Sequence, residues 1–141
     1  MPVQAVLLPV FVLVALTLAL LFMTARGRIA ALRSGEARVK DIALGQGNWP
    51  ARVLQVGNSY NSQFQLPILF YVLVGFAWPL HKADLLFVVM SWLFVATRFV
   101  HAYIHVTSNH VGRRFNAFAA GFLVLSLMWL IFALRILLGL Q

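Results

Sequence analysis

Cysteine is absent from this chain of 141 residues, and acidic residues are almost absent. Without thiols, the chain cannot form disulfides, thiolate metal sites or a cysteine nucleophile. Its three acids, Glu36, Asp41 and Asp84, are too few to favour paired carboxylates or a Ser-His-Asp arrangement. Hydrolytic chemistry is therefore not expected.

Charge is scarce overall, since only 10% of the residues are charged whereas 62% are hydrophobic. Soluble domains are about a quarter charged and about half apolar. The apolar residues are spread along the whole chain rather than confined to one tail, which favours one compact unit. We therefore predict an all-α integral membrane protein that forms a single domain.

Four segments are long and apolar enough to cross a bilayer, which takes about 20 residues of helix. They cover residues 5–24, 51–80, 83–107 and 115–139. The first has no basic residues before it, unlike a cleaved signal peptide, so we interpret it as a retained span. Backbone groups in lipid must be paired within their own segment, so the sequence predicts a membrane four-helix bundle.

Basic residues are concentrated on one side of these spans. Most of the 11 Lys and Arg lie in the loop over residues 25–50 or in the short turn that contains Arg113 and Arg114. Because positively charged loops stay in the cytoplasm, both termini are expected on the non-cytoplasmic side, as in a bacterial inner membrane. The cations are expected to contact membrane lipids, and no nucleic-acid partner is expected because they form no face that tracks phosphates.

The long loop and the second span contain local signals of helix starts and bends. A helix lying on the membrane surface is predicted over residues 28–41. Asn48 followed by Pro50 predicts that the second helix begins near Pro50, since proline fits the first helical turn. Pro67 lies inside the second span, where it removes a backbone donor and should bend the helix near Gln63.

The second and third spans each carry a polar face. The face of the second span comprises Gln55, Asn58, Ser59, Ser62 and Gln65. In the third span, Arg98, His101 and His105 share a face, and Arg113 and Arg114 follow at the boundary. Polar groups in a membrane must face a partner, a cavity or water. We predict a basic pocket between helices for an anionic ligand, such as a carboxylate, thiolate or phosphate headgroup.

Structural explanations of the same residues remain open. Arg98 could satisfy the carbonyls of a helix end or reach toward headgroups, and the amide stripe could simply join helices. Arg113 and Arg114 could act only as topology anchors. His101 and His105 are one turn apart, as two ligands of one metal could be, but no acid or thiol completes the set. No metal is expected.

Two segments of the chain resemble the MAPEG family, the membrane-associated proteins in eicosanoid and glutathione metabolism. Residues 61–70, NSQFQLPILF, are similar to the family's second-helix pattern of Asn, then Glu three residues on, then Pro followed by apolar residues. Residues 98–105, RFVHAYIH, are similar to its third-helix Arg-x-x-His-x-x-x-Tyr, and Arg114 stands at a further family arginine. The resemblance covers residues 52–138 and suggests a divergent bacterial-type member.

The resemblance implies a homotrimer of four-helix subunits. Glutathione would lie between the second helix of one subunit and the third and fourth helices of its neighbour. The expected activity is conjugation of glutathione to lipophilic small molecules or reduction of lipid peroxides. On this reading Asn61, Arg98, His101 and Arg114 contact the ligand.

The chain departs from the family pattern at four positions. Tyr60 and Phe64 stand where glutathione-binding members have Arg and Glu, His105 replaces a Tyr, and Phe115 replaces a Ser found in some members. Two of these changes remove second-helix partners for a ligand that carries two carboxylates and an ammonium. The alternative function is a non-catalytic membrane component that binds a lipid headgroup or partner helices through the same pocket.

Overall fold

A computed structural model describes residues 2–43 and 49–139. Within these residues it contains helices and no strand, so the prediction of an all-α fold is confirmed. The helices are α1 (Val3–Ser34), α2 (Val39–Ile42), α3 (Ala51–Ser62), α4 (Leu66–Ala77), α5 (Leu85–Val106) and α6 (Val111–Leu137).

Three of these helices, α1, α5 and α6, are long and apolar enough to cross a membrane. The pair α3 and α4 runs along the same bundle. Near the start of α3, Gln55 Nε2 donates a 2.9 Å hydrogen bond to the carbonyl of Thr107, just after α5 ends. Beyond α4, the carbonyl of Lys82 accepts a 3.3 Å hydrogen bond from Arg135 near the end of α6. The prediction of a multi-pass membrane helix bundle is confirmed.

α1 is longer than the predicted first span and continues to Ser34. Arginine and alanine are good helix formers, so the helix outlasts the apolar run that marked the span. It ends at Gly35, whose φ of 79° suits glycine and whose N–H donates to the Leu32 carbonyl. The surface helix predicted over residues 28–41 was therefore wrong in extent, because its first half belongs to α1 and only the four-residue α2 is separate.

Side-chain caps set the starts of α5 and α6. Asp84 Oδ1 accepts a 3.0 Å hydrogen bond from the Phe87 N–H, and His110 Nδ1 accepts one of 3.1 Å from the Arg113 N–H. α5 therefore starts two residues later than residue 83, and α6 four residues earlier than residue 115. The start of α3 directly after Pro50 confirms the predicted helix start, whereas the signals at residues 45–48, including Asn48, lie outside the described residues.

The helix predicted over residues 51–80 is divided into α3 and α4 between Ser62 and Leu66. Pro67 has no N–H to continue the ladder. At the break, the Phe64 and Gln65 amides bond to carbonyls only three residues back, and Gln65 has a non-helical ψ of −103°. The expected bend at Pro67 is thus a complete interruption, which leaves Ser62 at the C-terminus of α3.

An apolar core fills the middle of the bundle. Phe70 of α4 packs against Phe94 of α5 with ring centroids 5.0 Å apart, beside Leu13 of α1 and Met128 of α6. We call the end where α5 ends and α3 and α6 begin the basic end. There a smaller apolar cluster of Ala31, Ala37 and Val53, flanked by Ile42 and Trp49, holds the loop after α1 against α3.

Candidate functional site

A cleft of about 470 Å³ opens at the basic end between α3, α5 and α6. We call it the polar cleft. Its lining residues are Asn58, Asn61, Ser62, Gln65, His101, His105, Arg114 and Phe118. Six of the eight site residues predicted from sequence thus lie around one cavity of a single chain, and the two others, Arg98 and Arg113, do not line it.

The α3 wall of the polar cleft is made of amides and one hydroxyl. Asn58, Asn61 and Gln65 follow one another at spacings of three and four residues, so they project from one side of the segment. All three are exposed in the single chain, whereas Ser62 is buried. Amides both donate and accept hydrogen bonds, so this wall can contact polar groups of either kind.

The α5 wall is made of two histidines. His101 and His105 are only 5% and 7% exposed, and their ring centroids lie 5.5 Å apart with an interplanar angle of 80°. Within the described part of the chain, the Nδ1 atoms of both rings have no hydrogen-bond partner. Both Nδ1 atoms are buried, so each imidazole has hydrogen-bonding capacity that the described residues leave unused. Among the described residues, no group of three His, Asp or Glu side chains could hold a metal ion.

Arg98 lies behind the cleft wall rather than on it. Its side chain is 1% exposed, and Nη2 donates to the Ser62 carbonyl at 3.2 Å and to Ser62 Oγ at 2.7 Å. Nε and Nη1 are buried and have no partner among the described residues. Arg98 thus caps the end of α3, as the helix-end interpretation expected, and holds the cleft residue Ser62 in place.

Arg114 lines the polar cleft from α6, and its neighbour Arg113 does not. The Arg114 side chain is half-buried, and Nη1 donates a 2.6 Å hydrogen bond to Asn109 Oδ1. Arg113 is exposed, and its backbone N–H bonds to His110. The two adjacent arginines therefore occupy different environments.

A second pocket of about 190 Å³ adjoins the polar cleft. The two share His101, Arg114 and Phe118, and Val111 and Phe115 complete the second lining. The α6 residues Val111 and Phe115 are exposed apolar side chains. A polar compartment and an apolar one therefore meet at Arg114, which suits a reaction or a ligand with both characters.

The acids with described side chains lie away from the cleft and are paired. Glu36 contacts Arg52 at 2.7 Å, and this hydrogen bond holds the pKa of the Glu36 carboxyl below its usual 4.5. Asp84 contacts Arg135 at 2.8 Å. Burial raises the pKa of Asp84, but the hydrogen bonds from Arg135 and from the Phe87 N–H outweigh burial, so the pKa lies below its usual 3.8.

The polar cleft has cationic residues without acidic partners. No acid is among its lining residues. Neither of the two ion pairs formed by the described residues includes Arg98 or Arg114. The site is therefore suited to an anionic guest, because a positive charge in a medium of low dielectric constant attracts an anion strongly.

The two departures on α3 form a separate apolar contact. Tyr60 and Phe64 pack edge to face with ring centroids 5.1 Å apart, and Phe64 is 51% exposed. Neither side chain lines the polar cleft. The positions where the resemblance expects Arg and Glu thus hold two rings outside the lining.

Three further residues belong to the site although the sequence did not single them out as ligand contacts. Ser62 belongs to the polar stripe; it lines the cleft, and its hydroxyl accepts a hydrogen bond from Arg98. Phe118 looked like one more apolar residue of the last span, and it packs 6.1 Å from His101 between ring centroids. From sequence, Asn109 is one of the polar residues at the boundary after the third span, and only the fold shows that it contacts Arg114.

Comparison with known proteins places the chain in a family. The family model described as "MAPEG family" matches residues 6–134. No curated protein and no solved structure matches the chain. The matched range includes all the lining residues of the polar cleft and the whole of α3 and α5, and it ends three residues before the end of α6. Because the match covers most of its length, the chain belongs to the MAPEG family.

Proposed function

We propose that this protein is a glutathione-dependent transferase or peroxidase that acts on lipophilic molecules arriving from the membrane. The observation that carries the proposal is the polar cleft itself. It combines Arg114, two histidines with unpartnered nitrogens and no acid, and it adjoins an apolar pocket. Such a pair of compartments would hold an anionic thiol beside an apolar substrate.

The residues present fit most of glutathione and not all of it. Arg114 and the amides of Asn58 and Asn61 can donate to carboxylates, and the imidazoles can bond to peptide groups. The ammonium group finds no acid in the lining. Carbonyl oxygens of the amide side chains are the acceptors that remain for it, so we expect weaker binding than a carboxylate would give.

Bound glutathione would supply a thiolate for attack on an electrophile or a peroxide. The protein's part is electrostatic. Arg114, with Arg98 behind Ser62, favours negative charge in the cleft without an acid to compete for it. Phe115 and Phe118 form the apolar wall beside Arg114, where they exclude water and receive the lipophilic partner.

Stopped-flow absorbance on the purified protein tests this proposal. Mixing with glutathione should produce a thiolate signal, and chlorodinitrobenzene should then be conjugated. Arg114→Gln should abolish both signals, whereas Arg113→Gln, which changes an exposed neighbour outside the lining, should keep them. The absence of both thiolate and conjugation in the unmodified protein would remove the proposal.

A second candidate function is non-catalytic binding of a lipid headgroup in the same cleft. The absence of an acid from the lining favours it, because a phosphate needs no partner for an ammonium group. Native mass spectrometry separates the two candidates. A retained anionic phospholipid that glutathione fails to displace would favour headgroup binding, and displacement by glutathione would favour the transferase or peroxidase.

We also propose that the chain forms one domain over residues 1–141 and assembles as a homotrimer in a bacterial inner membrane, with both termini on the non-cytoplasmic side. The exposed amides of Asn58, Asn61 and Gln65 support assembly, since amides at membrane depth need a partner or a guest. Native mass spectrometry should give three times the 15.8 kDa chain mass. A monomer that keeps its lipid would contradict the trimer.

A further inference from the structure

We infer that Asn109 is a positioning residue that holds the Arg114 guanidinium in the polar cleft. Asn109 is not in the lining, and Arg114 is the residue shared by the cleft and the adjoining pocket. The inference deepens the proposed function, because it names the residue on which the anion-binding arginine depends. The contact itself stands without that function, since it is a feature of the turn between α5 and α6.

The backbone of Asn109 has a conformation that few residues adopt. Its φ is +50°, in the left-handed region where Asn and Gly are the usual residues. Its N–H donates a 2.7 Å hydrogen bond to the Ile104 carbonyl, which closes the end of α5. The turn therefore fixes the backbone from which the Asn109 side chain projects.

That side chain points its acceptor at Arg114. Asn109 Oδ1 receives a 2.6 Å hydrogen bond from Arg114 Nη1. An arginine side chain has several rotatable bonds and, at a membrane boundary, can reach toward headgroups. One fixed acceptor removes that freedom and leaves the other guanidinium donors for the cleft.

The choice of a neutral acceptor has an electrostatic consequence. An Asp or Glu at this place would pair with Arg114 and cancel its charge, as Glu36 does with Arg52 at the same end of the bundle. The Asn109 amide orients the guanidinium without neutralising it. The arginine therefore remains an attractive partner for an anion.

The turn that carries Asn109 is fastened on both sides. Gln55 of α3 donates to the Thr107 carbonyl at 2.9 Å, and His110 accepts from the Arg113 N–H at 3.1 Å. The first contact ties the turn to the helix that forms the amide wall of the cleft. Through Asn109, the position of Arg114 therefore depends on where α3 and α5 lie.

Two substitutions separate positioning from a plain turn role. Asn109→Gly keeps the left-handed conformation and removes the acceptor, and Asn109→Asp keeps an acceptor and adds a negative charge. Phenylglyoxal labelling of the full-length protein in detergent, followed by peptide mass spectrometry, reports the freedom of each arginine. Arg113, which is exposed and adjacent, is the internal control.

In Asn109→Gly we expect Arg114 to be labelled about threefold faster or more, with Arg113 unchanged, because a hydrogen bond of ordinary strength is lost. Asn109→Asp should leave Arg114 as protected as it is in the unmodified protein. Labelling of Arg114 that is the same in Asn109→Gly and in the unmodified protein overturns the inference, because glycine then replaces asparagine as a turn residue without effect on Arg114.

A glutathione titration separates this inference from the proposed function. If glutathione binds, Asn109→Gly should weaken its affinity by about tenfold through the loss of Arg114 orientation, and Asn109→Asp should weaken it by at least as much through neutralisation. Unchanged affinity in both variants contradicts the positioning role. If the unmodified protein does not bind glutathione at all, the proposed function fails, and the labelling result still decides the role of Asn109.

Discussion

Arg98 caps the end of α3 and also lies directly behind the wall of the polar cleft. Its guanidinium donates to the Ser62 carbonyl and hydroxyl at the C-terminus of α3, where the helix dipole is negative. Two further donor atoms are buried without partners among the described residues. We expect a buried cation with spare donors directly behind the cleft wall to favour anions in the cleft.

Arg98→Met should therefore weaken the binding of glutathione by roughly tenfold, because the charge that favours an anion is removed from a medium of low dielectric constant. Arg98→Lys should weaken glutathione binding less, because the positive charge stays although the two hydrogen bonds from Nη2 to Ser62 are lost. Titration calorimetry in detergent provides the measurement.

Arg113→Met is the matched control, because it removes a charge from an exposed neighbour of the site. It should leave the affinity unchanged, and a thermal unfolding scan should show that all three variants are folded. Equal affinity in Arg98→Met and the unmodified protein would mean that Arg98 only caps α3.

Sequence reasoning singled out most of the residues that line the polar cleft, since polar groups inside apolar helices are rare and conspicuous. It placed Asn61, His101 and Arg114 at one site, and the fold brings them to one cleft. It could not tell that Arg98 lies behind Ser62, because helical spacing gives the face of a residue and not its depth. It missed Asn109 since a polar residue in a turn is ordinary.

The interrupted crossing formed by α3 and α4 is the element that shapes the cleft. Pro67 has no N–H for the Gln63 carbonyl, and Gln65 turns within the break, so α3 ends at Ser62, where Arg98 donates to the last carbonyl. The Ser62 carbonyl accepts a 3.2 Å hydrogen bond from the Gln65 N–H as well as the one from Arg98, whereas in a continuous helix it would face the Leu66 N–H. The cleft wall therefore depends on the break.

Pro67→Ala should restore a backbone donor and let α3 and α4 merge. The chain has no cysteine, so spin labels on Ala51→Cys and Phe76→Cys are specific. Their distance should increase toward the about 37 Å that a continuous helix between the two positions spans at about 1.5 Å per residue. Glutathione affinity should fall as Ser62 leaves Arg98.

Pro9 offers the matched control for this experiment, because it also lies inside a helix, α1, but contributes nothing to the cleft lining. Pro9→Ala should leave both the spin-label distance and the affinity as they are. An unchanged distance in Pro67→Ala would show that packing by the neighbouring helices, and not the proline, imposes the break.

The apolar runs predict which segments cross the membrane, but they do not predict where each helix begins and ends. The runs are visible because a bilayer requires a minimum apolar length. Gly35 ends α1, and Asp84 caps the start of α5. Both are local caps, which hydrophobic periodicity does not reveal. The break at Gln63 was expected only as a bend, since a proline inside a membrane helix is compatible with either outcome.

At the end of the bundle opposite the cleft, an ion pair between Asp84 and Arg135 joins the start of α5 to the end of α6. The pKa of Asp84 is lower in the folded protein than its usual 3.8. A carboxyl with a depressed pKa stabilises the fold above its unfolded value, and this contribution is lost as the pH falls through the folded value.

Asp84→Asn tests this contribution, because asparagine can still cap α5 but cannot pair with Arg135. Thermal unfolding of the unmodified protein should exceed that of the variant by a constant margin well above pH 3.8, and the margin should shrink below that value. Both side chains are partly solvated, so the margin is expected to be small. A margin that is independent of pH down to strongly acidic conditions would contradict the assignment.

We claim that the polar side chains at the basic end surround a guest instead of facing lipid. A cryo-electron-microscopy structure of the purified protein with saturating glutathione tests it most directly. The expected map shows a ligand in the polar cleft in contact with Arg114 and Asn61. A map in which the cleft is empty, with Asn61 and His101 against acyl chains, would contradict the claim.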